Sequence, residues 1–171
     1  RQHGFAATPG EALALPDATG RIAHALVGAG TEAARRRDRF LIGQAATLLP
    51  EGSYRIAGHP LGAEDLAEAA LGWLLHGYRF TRYRDRPPAR ARLVAPEGVD
   101  ARRIATLAAA ESLTRDLINT PAADMGPAEL EAAARTLATA HGAEIEVTQA
   151  DALIGAGLPL IHAVGRAATG P

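Results

Sequence analysis

Histidines could ligate a metal in this 171-residue sequence, and serines could attack a carbonyl group. The six histidines are His3, His24, His59, His76, His141 and His162. None has the spacing of a zinc-binding HExxH helix, so we interpret them as surface residues or hydrogen-bonded core residues. The serines are Ser53 and Ser112, and neither lies in a G-x-S-x-G sequence, which argues against a serine hydrolase.

Two further patterns carry a weaker chemical signal. Glu144 and Glu146 lie on one face of a predicted strand, but the same alternation is typical of a solvent-exposed edge. Gly28-Ala29-Gly30 follows a predicted strand, as a dinucleotide-binding loop would. However, Ala33 stands where the G-x-G-x-x-G pattern needs its third glycine, so the match to such a loop is weak. We therefore predict no site from either the glutamate pair or the glycine pattern.

The composition excludes several kinds of chemistry within these residues. All 18 basic residues are arginine, so no lysine can form a Schiff base, bind phosphate in a P-loop or ligate a metal. The sequence has no cysteine, which excludes disulfides, zinc-thiolate sites, iron–sulfur clusters and a thiol nucleophile. A net charge of -1 argues against bulk attraction to nucleic acid or to an anionic membrane. No apolar run approaches the roughly 18 residues that cross a bilayer.

The segment 78–86 interleaves arginines with three aromatic residues. Arginine pairs with phosphate and aromatic rings stack on bases, so one hypothesis is a nucleic-acid-binding module. The interpretation that we favour is an extended surface segment with Tyr78 and Phe80, and as a third candidate Tyr83, packed inward. A salt-dependent gel shift that Arg82→Ala and Arg84→Ala weaken would support the nucleic-acid hypothesis.

Alternating strand and helix patterns predict an α/β fold. The predicted strands are 12–15, 21–28, 53–57, 90–95, 143–148 and 158–164, and the predicted helices are 38–49, 62–78, 101–118, 127–141 and 151–156. The first two strands form a potential hairpin around the turn-rich residues 16–20. The run 158–164 is apolar apart from His162, as is typical of strands that are buried on both faces.

The pattern changes near residues 96–100, which predicts two domains. Residues 1–98 form a small N-terminal α/β domain. Residues 99–171 form a long bridging helix and the truncated start of a second α/β domain. The sequence begins with Arg1 and ends just after an apolar predicted strand, so we expect it to be part of a longer polypeptide.

Three segments resemble one enzyme family. The sequence RDLINTPAADMGP at residues 115–127 is similar to the R-D-L-x-N-T-P-x-N-[DE]-M-x-P stretch of the leucyl aminopeptidase family, the M17 cytosol aminopeptidases. Residues 72–80 resemble the family's G-x-L-L-x-x-Y-x-F helix end, and residues 160–166 resemble a strand that ends in V-G-[RQ]. The resemblance covers the chain from about residue 65 to its end, while residues 1–60 match only in α/β character. Ala123 departs from the asparagine that many members carry.

The resemblance implies a smaller N-terminal α/β domain joined by a long helix to an α/β catalytic domain. Members release N-terminal residues from peptides with two divalent metal ions, typically zinc, manganese or cobalt. Two such ions polarise the scissile carbonyl and generate a hydroxide nucleophile. Members are usually cytoplasmic hexamers.

The resemblance also predicts where the active site is not. The family's metal ligands include a lysine and the segment N-T-D-A-E-G-R, and this sequence contains neither. We therefore expect no catalytic, metal-binding or substrate-binding residue within the chain and interpret residues 119–121 as a structural turn. The chain is then the scaffold and oligomerisation part of a peptidase that binds its peptide substrates, and two manganese or zinc ions, elsewhere. The alternatives are the nucleic-acid module above and a self-standing small-ligand-binding α/β domain, which a saturable, metal-independent thermal shift would reveal.

Overall fold

The structure is a computed structural model that describes residues 4–58 and 61–166. The strands are β1 (Ala12–Pro16), β2 (Ile22–Val27), β3 (Gly52–Tyr54) and β4 (Ala91–Leu93). The helices are α1 (Glu32–Arg37), α2 (Ala45–Leu48), α3 (Ala63–Gly77), α4 (Ala101–Asn119), α5 (Pro127–His141), α6 (Ala152–Gly155) and α7 (Pro159–Gly165), with a 3-10 helix (Leu41–Gln44) before α2. This mixture confirms the predicted α/β class. The chain divides into two compact units, residues 1–115 and 116–171.

The predicted hairpin is present at the start of the first unit. β1 and β2 pair antiparallel, with Ala12 opposite Val27 and Leu15 opposite His24. Asp17 organises the turn, because its Oδ1 accepts hydrogen bonds from the Thr19 amide at 2.7 Å, the Thr19 hydroxyl at 2.6 Å and the Arg21 amide at 3.1 Å. These bonds satisfy the backbone groups that the turn would otherwise leave unpaired.

A small core lies between α2, α3 and a second pair of strands. β3 and β4 are parallel, and α3 forms part of the connection between them. The buried cluster consists of Ala45, Ala46, Leu49, Trp73 and Ala91. Within it the indole Nε1 of Trp73 donates a hydrogen bond of 3.2 Å to the Ala91 carbonyl. The cluster therefore joins helix to strand through one large side chain and several small ones.

The predicted helix 38–49 is wrong as a single element. Helix α1 occupies residues 32–37 instead, with Thr31 as its N-cap, and Asp38 is extended at φ -134° and ψ 96°. The chain resumes as the 3-10 helix and then α2. A tertiary contact sets this tighter geometry, because Gly43 packs directly on the backbone of Gly72 in α3. Close approach of the two segments therefore overrides the local pattern that predicted one continuous helix.

Helices α4 and α5 have the ends that the sequence predicts. Asp100 Oδ1 accepts a hydrogen bond of 3.0 Å from the Arg103 amide at the start of α4. Pro127 opens α5, where Glu129 Oε2 accepts a 2.9 Å bond from the Gly126 amide. Gly142 ends α5 in the left-handed region at φ 61°, a conformation that favours glycine.

Two predicted strands of the second unit are not present. Residues 143–148 have no strand partner among the described residues and follow an irregular path. The apolar run 158–164 is helix α7, and its Leu160 and Val164 side chains are 81% and 78% exposed rather than buried. No described strand lies alongside to complete a ladder, so a helix that begins at Pro159 satisfies the backbone groups locally.

The contact between Gly43 and Gly72 gives a stability prediction. A Cβ at residue 43 would overlap the carbonyl group of Gly72, so Gly43→Ala must push the 3-10 helix away from α3. We expect the free energy of unfolding to fall by about 2 kcal/mol. Urea unfolding followed by the fluorescence of Trp73, the single tryptophan, measures it. The matched control Gly77→Ala meets only an ordinary contact and is expected to change stability by less than about 0.5 kcal/mol.

The turn carboxylate gives a prediction about pH. The hydrogen bond from the Thr19 hydroxyl, with those from the Thr19 and Arg21 amides, holds the pKa of Asp17 below its ordinary value of 3.8. A carboxyl whose pKa is lowered by folding stabilises the fold above its ordinary pKa, and this contribution is lost as the pH falls through the lowered pKa. A carboxyl carbon NMR titration should give a midpoint below 3.8. Thr19→Ala should raise that midpoint, and a midpoint that does not respond would contradict the assignment.

Candidate functional site

The histidines that the structure describes do not form a metal centre. His24 is exposed on β2, and His141 is exposed at the end of α5. His76 Nδ1 lies 2.9 Å from the Gly72 carbonyl oxygen within α3, and His162 Nε2 lies 3.2 Å from Asp151 Oδ1. His3 and His59 lie outside the described residues. Within 4–58 and 61–166, no three histidine, aspartate or glutamate side chains come together as metal ligands.

The other residues considered for chemistry have structural surroundings. Ser112 donates its hydroxyl to the Ala108 carbonyl at 2.7 Å inside α4, and Ser53 is exposed on β3. Glu144 and Glu146 are both exposed on the irregular segment after α5. Gly28 extends the base of the hairpin, where its amide donates to the Glu11 carbonyl at 2.8 Å and a Cβ would overlap the Thr8 carbonyl. This glycine is therefore explained by close backbone approach.

The segment after α4 makes a compact turn. Thr120 is buried, and its hydroxyl donates a bond of 2.7 Å to the Asp116 carbonyl. The Asp124 amide donates to the Pro121 carbonyl at 2.8 Å, which closes the turn before α5 begins at Pro127. The family-like residues 115–127 thus connect two helices.

An open cleft of about 790 Å³ lies in the first unit, and we call it the arginine cleft. Arg79, Arg84, Arg86 and Arg90 line it with four guanidinium groups. Glu51 and Asp85 add two carboxylates, so the charged groups sum to +2. Ala46, Thr47, Leu49 and Pro50 also line the cleft, and Ala46 and Leu49 among them are buried. The cleft thus brings six charged side chains around one cavity.

Two arginines hold the end of α3, where the segment 78–86 begins. Arg79 Nη1 donates to the carbonyls of His76 and Tyr78 at 2.9 and 2.7 Å. Arg115 of α4 lies 5.5 Å from the centroid of the Tyr78 ring, and its Nη1 is 3.4 Å from the Leu75 carbonyl. Cations at a helix C-terminus satisfy its last carbonyls and favour its dipole. These contacts fix where the cleft segment leaves the helix.

The aromatic residues of this segment contact one another and neighbouring arginines. Tyr78 and Phe80 are half-buried, as expected, whereas Tyr83 is 54% exposed. The Phe80 and Tyr83 rings meet edge to face at 5.8 Å, and the Arg82 guanidinium lies 5.8 Å from the Tyr83 centroid. The inward packing considered for Tyr83 is therefore wrong, because its ring rests on Phe80 at the surface.

The sequence analysis did not predict several of the residues that line the cleft. It ended the arginine segment at Arg86, whereas Arg90 also lines the cavity, with its Nη1 3.7 Å from Glu51 Oε2. Ala46, Thr47, Leu49 and Pro50 reach the cleft through the packing of α2 on α3, and no local pattern encodes that approach. No helix in the described ranges has both the length and the apolar character needed to cross a membrane.

Two family models match the chain in sequence order. The first, described as the M17 aminopeptidase N-terminal domain, matches residues 1–96. The second, described as the catalytic domain of the cytosol aminopeptidase family, matches residues 112–171. The similarity therefore also covers residues 1–60, which the sequence motifs did not reach.

Relatives and solved structures carry the same similarity. A probable cytosol aminopeptidase of Leifsonia xyli is 33% identical over 98% of this chain and 36% of its own length. A second, from Nocardia farcinica, is 34% identical over 65% of this chain and 25% of its own length. The crystal structure of the cytosol aminopeptidase from Coxiella burnetii superposes with a TM-score of 0.86 at 31% identity, covering 99% of this chain and 36% of that one. The bottromycin maturation enzyme BotP superposes with a TM-score of 0.77 at 29% identity, covering 100% of this chain and 40% of that one.

The anchoring of the cleft segment gives a testable prediction. Arg79→Ala removes two hydrogen bonds to backbone carbonyls, so we expect the free energy of unfolding to fall by about 1 kcal/mol. The control Arg82→Ala removes an exposed side chain from the same segment and should change stability by less than about 0.5 kcal/mol. Urea unfolding measured on both variants decides the question, and equal losses would show that Arg79 anchors nothing.

Proposed function

Because the chain belongs to the M17 cytosol aminopeptidase family, we propose that it is the N-terminal part of a metal-dependent leucyl aminopeptidase that releases N-terminal amino acids from peptides. The observation that carries this proposal is the order of the two family matches, with the N-terminal domain at 1–96 and the catalytic domain at 112–171. The chain spans 36% of the Leifsonia xyli and Coxiella burnetii proteins that it matches. The activity therefore belongs to the longer enzyme.

Within that enzyme, we assign this segment the role of scaffold and oligomer contact. A site for two divalent metal ions needs several carboxylate or imidazole ligands that converge on one place. The part of the chain that the structure describes brings no three such side chains together, and the sequence has no lysine. These residues do not fit the metal pair, so the manganese or zinc ions and the peptide substrate bind outside this segment.

The proposed domain organisation follows the same division. Residues 1–98 form the N-terminal α/β domain, and residues 99–171 contain bridging helix α4 and the beginning of the catalytic domain. The end of the first family match at residue 96 and the start of α4 at Ala101 support this boundary.

Exposed apolar side chains support a role in contacts with further protein. In the second unit Ile118, Leu160 and Val164 are 76%, 81% and 78% exposed. Burial of large apolar side chains against a neighbouring surface lowers the free energy, because it removes them from water. We propose that the longer enzyme covers such residues and assembles as a hexamer. The name of its relatives, cytosol aminopeptidase, supports a cytoplasmic location.

The isolated chain is expected to be inactive. The assay is hydrolysis of leucine p-nitroanilide with added manganese, with and without EDTA, alongside an intact mass. No hydrolysis at a mass of 17.7 kDa is the expected result, and a cytosol aminopeptidase in the same assay is the positive control. EDTA-sensitive activity at that mass would contradict the placement of the catalytic centre.

A chimera tests the scaffold role directly. This chain replaces the matching 36% of the Coxiella burnetii enzyme, and the remainder of that enzyme is kept. We expect EDTA-sensitive hydrolysis, because the two backbones superpose with a TM-score of 0.86. A chimera that folds and assembles like the parent enzyme but hydrolyses nothing would contradict the proposal.

A further inference from the structure

The arginine cleft contains two arginines, Arg84 and Arg86, whose guanidinium groups have no hydrogen-bond acceptor among the described residues. Of the other two arginines in the cleft, Arg79 donates hydrogen bonds to carbonyls at the end of α3, and Arg90 forms an ion pair with Glu51. A guanidinium presents its N–H donors in a rigid fork that matches phosphate or carboxylate oxygens.

Arg84 and Arg86 are exposed, and the backbone conformation is restricted at Arg86. Arg86 precedes Pro87, which in turn precedes Pro88, and a residue before proline is driven towards extended conformations. At the other end the segment is fixed by Arg79 and by the contact between Phe80 and Tyr83. A segment that is already ordered loses less conformational entropy when a ligand binds.

The size and charge of the cleft select the class of ligand. Its volume of about 790 Å³ lies within the range of small-molecule sites. Its charge of +2 is local, because the whole chain carries a net charge of -1, unlike the basic domains that bind nucleic acid. Phe80 contacts Tyr83 and Arg82 lies against the Tyr83 ring, so these aromatic groups already have partners within the segment. A compact, multiply charged anion fits these observations better than a nucleic-acid strand.

We propose that the arginine cleft is a binding site for a small phosphate anion of the pyrophosphate class, held by Arg84 and Arg86. The phosphate oxygens accept hydrogen bonds from the two guanidinium groups. Asp85 lies between them in sequence and opposes the anion by its charge.

Calorimetric titration of the 171-residue chain with sodium pyrophosphate at low ionic strength tests the proposal. We expect saturable binding that Arg84→Gln combined with Arg86→Gln weakens by about tenfold or more. The matched control is Arg102→Gln with Arg103→Gln, two exposed arginines outside the cleft, and it should change the affinity by less than about twofold. Asp85→Asn should strengthen binding, because it removes a negative charge from the lining.

Two further arms identify the source of the phosphate and guard against misfolding. Titration with ATP shows whether a nucleoside adds affinity to the phosphate contact. Arg84→Lys with Arg86→Lys keeps the charge but loses the fork, and it should recover part of the binding lost in the glutamine variant. Circular dichroism should show that every variant retains the secondary structure of the parent.

Three outcomes would reject the proposed anion site. Absence of saturable pyrophosphate binding, or equal weakening by the cleft and control pairs, rejects the site. A DNA duplex that binds through Arg84 and Arg86 while pyrophosphate neither binds nor competes rejects the small anion in favour of nucleic acid. None of these measurements uses peptide hydrolysis, so failure of this proposal and failure of the aminopeptidase proposal are distinguishable.

Discussion

Trp73 joins α3 to β4, and most of the first unit is built around that contact. Its indole donates a hydrogen bond to the Ala91 carbonyl, and its ring lies 6.2 Å from that of Tyr54 on β3. The surrounding side chains are largely alanine, each of which buries a single methyl group. A tryptophan removes far more apolar surface from water, so one side chain supplies much of the area that the small residues cannot. Glycine completes the arrangement, since Gly43 and Gly72 let two helical segments approach at backbone distance.

The arginine cleft depends on the same packing. Ala46, Thr47, Leu49 and Pro50 line it because α2 packs against α3, and the arginines that line it begin at Arg79, just after α3 ends. Arg115 reaches from α4 to the same helix end and covers the Tyr78 ring. Charged side chains that are distant in the sequence thereby line one cavity, as the ion pair of Glu51 and Arg90 does.

The two units differ in how well local patterns described them. In the first unit, the hairpin and α3 follow from turn residues and apolar spacing, and both are present as predicted. In the second unit α5 is also as predicted, whereas the apolar run 158–164 is an exposed helix rather than a buried strand. An apolar run by itself is compatible with either element, and the choice depends on whether a neighbouring strand offers hydrogen bonds. Residues 143–148 show the same dependence, because their alternation of Ile145 and Val147 with polar residues has no described partner strand.

By itself the sequence determined the family, the α/β class and those elements whose signals are local. These local signals are Asp100 before α4, Pro127 and Gly142 around α5, and the turn at Asp17. Each acts within a few residues, so it can be recognised from the sequence without knowledge of the fold. Tertiary structure alone decided the break at Asp38, the helix at 158–164 and the assembly of the arginine cleft. Each of these depends on which distant backbone or side chain lies alongside. The contacts that stabilise them form only when segments remote in the sequence pack together, so no local pattern encodes them.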